Sequence, residues 1–230
     1  MKISFIITCP YYDNGIKSLG SKCLLSNKRK KIIEKQCYAI ERFSKNNDYE
    51  IILVNSIEHN KTQKFIEKKL PSVRYVYVDS DNINYAGSFI KGLNLAKYSD
   101  VISIECGLII SSKSIASLRI EEADISVGCI SNKHKQTSDI ELGCTINQNN
   151  ISNMFFGLEH KCIGISYLSS RVTDFIVENY EFNRNKNKFL FEIMNACISK
   201  GYSCKPSVMK SKDTHLIFNK KSLQQYIGLI

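Results

Sequence analysis

"NINYAGSFIKGLNLAKYSDVISIECGLII", residues 82–110, decides the fold. Its segment "YAGSFIKGLNLAKY" (85–98) reads as a helix despite two glycines, and "DVISIE" (100–105) reads as an apolar strand. A helix that leads directly into a buried strand is half of a strand–helix–strand unit. The chain before it repeats the pattern. "KISFII" (2–7), "YEIILVN" (49–55) and "VRYVYV" (73–78) read as buried strands. Between them "RKKIIEKQCYAIERF" (29–43) places Ile33, Cys37 and Ile40 at helical spacing, and "KTQKFIEKKL" (61–70) is a helix stopped by Pro71. Strands alternating with helices predict a parallel sheet covered on both faces.

The second half changes character. "ADISVGCI" (123–130), "IELGCTIN" (140–147) and "NMFFGLEHKCIGISYL" (153–168) are strand-like, with polar turns at "SNKHKQTSD" and "NQNN". Helices are expected at about 168–179 and 186–200, strands near 204–210 and 214–218, and a last helix after Lys220. With no linker or internal repeat, residues 1–230 read as one α/β domain, a three-layer α/β/α sandwich with a mostly parallel mixed sheet. Such sheets bind ligands beyond the carboxyl ends of their parallel strands, here after Ile7, Val54, Val78 and Glu105.

The bulk numbers exclude several classes. At 230 residues with 43% hydrophobic content the chain can bury a sizeable core, and no apolar run is long enough for a membrane span. "ISFII" is too short for a signal segment, so cytoplasm is the expected location. The nine cysteines form no CxxC pair and no zinc-finger spacing with histidine, and several lie in apolar strands or helix faces, as reduced core thiols do. The net charge of +10 is concentrated early: residues 1–70 hold 14 Lys+Arg against 7 Asp+Glu, densest at Lys28 to Lys31. A field of that sign attracts phosphates. Nucleic acid is disfavoured as the partner, because no aromatics interleave with the basic residues there.

"GSKCLLSNKRKKIIEKQCYAIE" (20–41) resembles the "G-x-K-x-LL … t-lIe-rQi" stretch of sugar-phosphate and cholinephosphate nucleotidyltransferases. Residues 82–93 followed by "DVISIECGLII" resemble their "N-x-x-S-l-x-x-gL … d-vliveGD-v-i" stretch, and "FGLEHKCIGISYLS" and "FLFEIMNACISKG" fit the later segments in order. The resemblance implies the nucleotide-binding α/β sandwich shared with many glycosyltransferases. It implies transfer of a nucleoside monophosphate from a nucleoside triphosphate to a small phosphorylated acceptor, with Mg²⁺ as cofactor if the chain is active. Lys22 and Glu105 would be the catalytic pair, with Lys17, Asn82, Asn84, Ser88 and Glu192 on substrate and Glu105 and Asn219 on the metal.

The hallmark elements are altered. The phosphate loop reads "TCPYYDNGIKSLGSK" (8–22), with few glycines, and Lys17 stands in for its basic residue. Gly107 occupies the place of the family's metal-binding aspartate and Cys106 that of its glycine. Glycine offers Mg²⁺ no oxygen from a side chain. Glu105 points to the same side of the strand but lies roughly 6–7 Å deeper. In "LIFNKKSL" (216–223) Asn219 replaces the second aspartate, and Asp213 is out of register. An aspartate at position 107 is expected to return a carboxylate to the cleft mouth at small steric cost, provided the glycine has no positive φ. Activity is therefore expected to be weak or lost. Two alternatives stand beside the enzyme: a catalytically silent binding or scaffold protein that keeps the fold, and a glycosyltransferase of the same architecture using a nucleotide sugar.

Overall fold

The computed structural model describes residues 1–10, 20–27, 30–79, 83–118, 120–131, 141–217 and 222–224. The chain runs through β1 (Lys2–Cys9), a 3-10 turn (Lys22–Leu24), β2 (Ser26–Asn27), β3 (Lys30–Lys31), α1 (Ile32–Phe43), β4 (Asp48–Asn55), α2 (His59–Lys69) and β5 (Val73–Tyr77). It continues with α3 (Tyr85–Leu93), β6 (Val101–Glu105), β7 (Leu108–Ile110), α4 (Ser112–Ala116), β8 (Ile125–Ser131), β9 (Leu142–Asn147), β10 (Asn150–Phe156) and β11 (His160–Leu168). Then come α5 (Ser170–Asn179), α6 (Phe182–Asn185), α7 (Leu190–Ser199), β12 (Cys204–Val208), a second 3-10 turn (Ser211–Asp213) and β13 (Thr214–Leu216).

The four strands expected from the alternation lie side by side and parallel, in the order β5-β4-β1-β6. β11 pairs antiparallel with β6, and beyond it the sheet forks. One branch is β8 and then β12; the other is β9 and then β10. The fork falls where the β11–β8 register shifts between Cys162 and Ser166, around Gly164 with φ +77°. Only a residue without Cβ adopts that conformation cheaply.

Burial on both faces explains why β1 reads as an unbroken apolar run. Ile3, Phe5, Ile7 and Cys9 face the core under α1, α2 and α4, whereas Ile6 faces the core under α3, α5 and α7. Each such large side chain contributes about 1.5–3 kcal/mol when fully buried. The result is a three-layer α/β/α sandwich.

Two boundaries differ from the sequence expectation. α3 stops at Leu93 instead of Tyr98, because the following turn is tied to the sheet. The Tyr98 amide donates to Ser4 Oγ (3.0 Å), and the Lys97 amide donates to the Glu50 carboxylate. The strand-like run 153–168 is two strands turning at Gly157, whose φ is +76°. The short elements β2, β3, β7, α4 and α6 carry too few residues for a periodic signal. The helix expected after Lys220 falls largely outside the described residues. All nine cysteines are buried and free, and among the described residues no helix is long and apolar enough to cross a membrane.

Candidate functional site

β1 and β6 are neighbours, with Thr8 in register with Glu105. From β1 the chain moves outward to β4 and β5 on one side and then returns to β6 on the other. The strand order therefore reverses between β1 and β6, with α1 in one core and α3 in the other. That is the switch point at which open α/β sheets form a crevice. A cleft opens there, lined by Thr8, Ser103 and Glu105 from β1 and β6, by Tyr85 of α3, and by Gly164 and Ser166 of β11. Its far wall is apolar: Leu142, Met154, Phe189, Phe191 and Met194. Phe189 and Phe191 stack on each other at 5.5 Å between ring centroids, and Phe156 meets both edge-on.

Glu105 is the acid at the carboxyl end of β6. Burial pushes its carboxyl above the usual range, while the Lys22 charge and the Tyr85 hydroxyl, which donates to it, pull it back down. The Tyr85 phenol is itself pushed well up, by burial first and then by the Glu105 charge. A β-carbon at Gly164 would stand 2.8 Å from Glu105 Cδ, so the carboxylate stem lies across that glycine. A raised carboxyl binds its proton more tightly in the folded chain than in the unfolded one. Its contribution to stability is therefore complete below its ordinary 4.5 and is lost as pH rises through the folded value. Urea melts of parent and Glu105→Gln between about pH 4 and about pH 8 should show the parent losing stability relative to the variant as pH rises. A constant difference would mean that Glu105 ionises freely.

Lys22 sits in the 3-10 turn with 7% of its surface exposed, and its Cδ lies 3.7 Å from where a β-carbon on Gly107 would be. The Lys22 charge thus acts on Glu105 from 83 positions away in sequence, but among the described residues no ion pair joins the two, and Lys22 is not one of the residues that line the cleft. The loop that delivers Lys22 is pinned by side chains that sequence reasoning passed over. Asn55, fully buried at the end of β4, accepts from Ser21 Oγ (3.3 Å) and donates to the Ile57 carbonyl (2.5 Å). The Ser21 amide donates to Glu58 Oε2 (2.8 Å), and Glu58 adopts a left-handed φ of 49° beside Gly20. An acid therefore takes a backbone N–H at the end of the loop where an anion was expected.

Gln36 is the other missed residue. It sits on the apolar face of α1, fully buried, and its Nε2 donates to the carbonyls of Glu105 (2.9 Å) and Leu108 (2.7 Å). It clasps the Cys106-Gly107 turn from both sides. A glutamine one position before Cys37 on an apolar stripe is the signal that could have found it. Gln36→Leu should cost about 2 kcal/mol in a urea melt: two carbonyls lose a donor, partly offset because Gln36 Oε1, buried with no partner among the described residues, is also removed. An unchanged midpoint would show that the turn holds itself.

The remaining expected residues divide. Lys17, Asn82 and Asn219 lie outside the described residues. Asn84 caps α3: its Oδ1 accepts from the Tyr85 amide (2.8 Å) and its Nδ2 donates to the Asn187 carbonyl (3.3 Å). The Asn84 and Ala86 amides donate to the carbonyls of Lys186 and Lys188, so the start of α3 is closed by that loop. Ser88 is buried in α3, with no partner for its hydroxyl among the described residues. Glu192 caps α7 by accepting from the Phe189 amide (2.7 Å). Tyr85, not Asn84 or Ser88, is the α3 residue that lines the cleft.

The donor set fits Mg²⁺ poorly. Mg²⁺ takes hard oxygens, commonly from one or two carboxylates together with substrate phosphates. Among the described residues Glu105 is the single carboxylate that lines the cleft, and the Lys22 charge and the Tyr85 hydroxyl already act on it. Position 107 cannot supply one. Its φ is not positive, but a β-carbon there would overlap the Ile217 carbonyl oxygen. The expectation of a small steric cost for aspartate is therefore corrected: the obstacle is backbone, and it lies away from the cleft lining.

No protein-family model matches the sequence, and no curated protein matches it. Solved structures do share the fold. The inositol-1-phosphate CTP transferase from T. maritima superposes with a TM-score of 0.76 at 11% identity, covering 100% of this chain and 94% of that one. The nucleoside-diphosphate-sugar pyrophosphorylase from Vibrio cholerae RC9 gives 0.74 at 9% identity, covering 99% and 100%. The CTP:phosphocholine cytidylyltransferase from Streptococcus pneumoniae gives 0.73 at 13% identity, covering 100% and 99%. At these identities the likeness is one of fold.

Proposed function

We propose that this chain is a divergent nucleotidyltransferase whose cleft binds a nucleoside triphosphate and a small phosphorylated acceptor, with weak turnover. The observation that carries this reading is the placing of the buried Lys22 beside the Cys106-Gly107 turn, close enough for its charge to act on Glu105 at the carboxyl end of β6. The reaction would be in-line displacement: an acceptor phosphate oxygen bonds to the α-phosphorus, the α–β bridge breaks and pyrophosphate leaves. Lys22 supplies a point charge for the triphosphate. The aromatic wall of Phe189 and Phe191 suits an acceptor with an apolar or quaternary ammonium body, such as phosphocholine, better than a polyhydroxylated sugar.

Binding without turnover is the second reading. The capping of Ser21 by Glu58 and the closure of the α3 start by residues 186–188 favour it. Pyrophosphate release from each triphosphate, with phosphocholine or sugar phosphates and with or without Mg²⁺, tests the catalytic half. It should be weak or undetectable, because lost charge stabilisation of several kcal/mol removes several powers of ten in rate. Robust Mg²⁺-dependent release would overturn the degraded-site reading. Cleavage of a nucleotide sugar instead would favour the glycosyltransferase.

A further inference from the structure

The fork of the sheet holds side chains that nucleotide chemistry does not use. The Sγ atoms of Cys129 on β8, Cys144 on β9 and Cys162 on β11 all lie within 4.8 Å of one another, and those of Cys129 and Cys144 are 3.5 Å apart. Strand register explains the convergence. Cys162 is opposite Cys129, and His160, two residues before Cys162, is opposite Cys144, so all three thiols project to one face. Met154 is opposite Cys144 on β10 and belongs to the same core. The thiols and the thioether are buried, yet Cys162 and Met154 also line the cleft, which is a route inward.

Scattered core thiols behave as small hydrophobes and have no reason to meet. Three sulfurs from three strands have the size of a ligand set: three metal–sulfur bonds of about 2.3 Å in a plane place the sulfurs roughly 4 Å apart. The donors are all soft, which selects thiophilic d¹⁰ ions. Zinc prefers a fourth ligand in a tetrahedron, and among the described residues no His, Asp or Glu joins the three.

We propose that Cys129, Cys144 and Cys162 form a three-sulfur site for a soft monovalent ion, Cu(I), reached through the cleft. The first metal–sulfur bond forms as one thiol gives up its proton. Each further metal–sulfur bond replaces an S–H bond, and the proton leaves to solvent. The cation cancels one of the three thiolate charges, and the metal–sulfur bonds must outweigh the cost of burying the other two.

The test is an anaerobic titration of the reduced full chain with Cu(I), in competition with a chromophoric Cu(I) chelator. The parent should take one equivalent. Cys144→Ala should weaken binding by at least roughly a hundredfold, the upper end of what even an outer-shell change costs a metal site. Cys37→Ala, which removes a buried thiol from the opposite core, should bind as the parent does. Should Cys144→Ala fail to fold, X-ray absorption on the Cu(I)-loaded parent decides: three sulfur neighbours support the site, and a shell dominated by nitrogen or oxygen overturns it. Failure of the parent to compete, or equal binding by parent and Cys144→Ala, also overturns it.

Discussion

Gly107→Asp should destabilise the protein by about 3–5 kcal/mol and should not create a Mg²⁺ site. The Ile217 amide donates to the Gly107 carbonyl (2.9 Å), which fastens the C-terminal segment against the turn after β6. A β-carbon on Gly107 would overlap the Ile217 carbonyl oxygen, and backbone cannot swing aside as a side-chain tip can. Overpacking of this kind costs about 1–3 kcal/mol, and burying a carboxylate against a carbonyl oxygen adds a comparable penalty. For a chain of this size the melting temperature should fall by roughly 10 °C or more. Gly107→Ala separates the two causes, since it keeps the steric overlap and omits the charge. If aspartate at 107 leaves the melt unchanged and tightens Mg²⁺–nucleotide binding, the turn is looser than described and the lost-ligand reading of position 107 revives.

The second large effect concerns Lys22. A buried lysine beside a carboxylate is costly to hold unless both charges have work to do. A triphosphate would give Lys22 a stronger partner than Glu105 alone. At a hundred times its dissociation constant a bound nucleotide adds about 2.7 kcal/mol of stability, or roughly 5–10 °C for a chain of this length. Lys22→Met keeps the aliphatic bulk and removes the charge, so that shift should vanish. The variant's own carboxyl at Glu105 should titrate higher still, because the charge that pulled it down is gone. A shift of equal size in parent and variant would place the nucleotide elsewhere.

The frame was legible for a physical reason. Residues 2–105 alternate apolar strands with amphipathic helices, and the observed β5-β4-β1-β6 order is what right-handed crossovers produce. The position of the cleft follows from that order. The side-chain roles were less legible. Asn84 and Glu192 look like ligand contacts in a motif, and Asn84 also reads as a helix N-cap; in three dimensions each satisfies a helix-terminal amide, a role that does not bear on ligand contact. Gln36 was hidden because its partners are carbonyls near position 106, some 70 residues away. The obstruction at Gly107 was invisible because it comes from Ile217, a contact that no local pattern encodes.

Nucleotide occupancy of the cleft separates a working fold from an empty one. Calorimetric titration of the four nucleoside triphosphates into the full chain, at equal ionic strength with and without Mg²⁺, measures it directly. One triphosphate should bind at a single site per chain, with an affinity that Mg²⁺ changes little and Lys22→Met abolishes. No binding by any triphosphate, or binding that depends strongly on Mg²⁺, would contradict the proposed function.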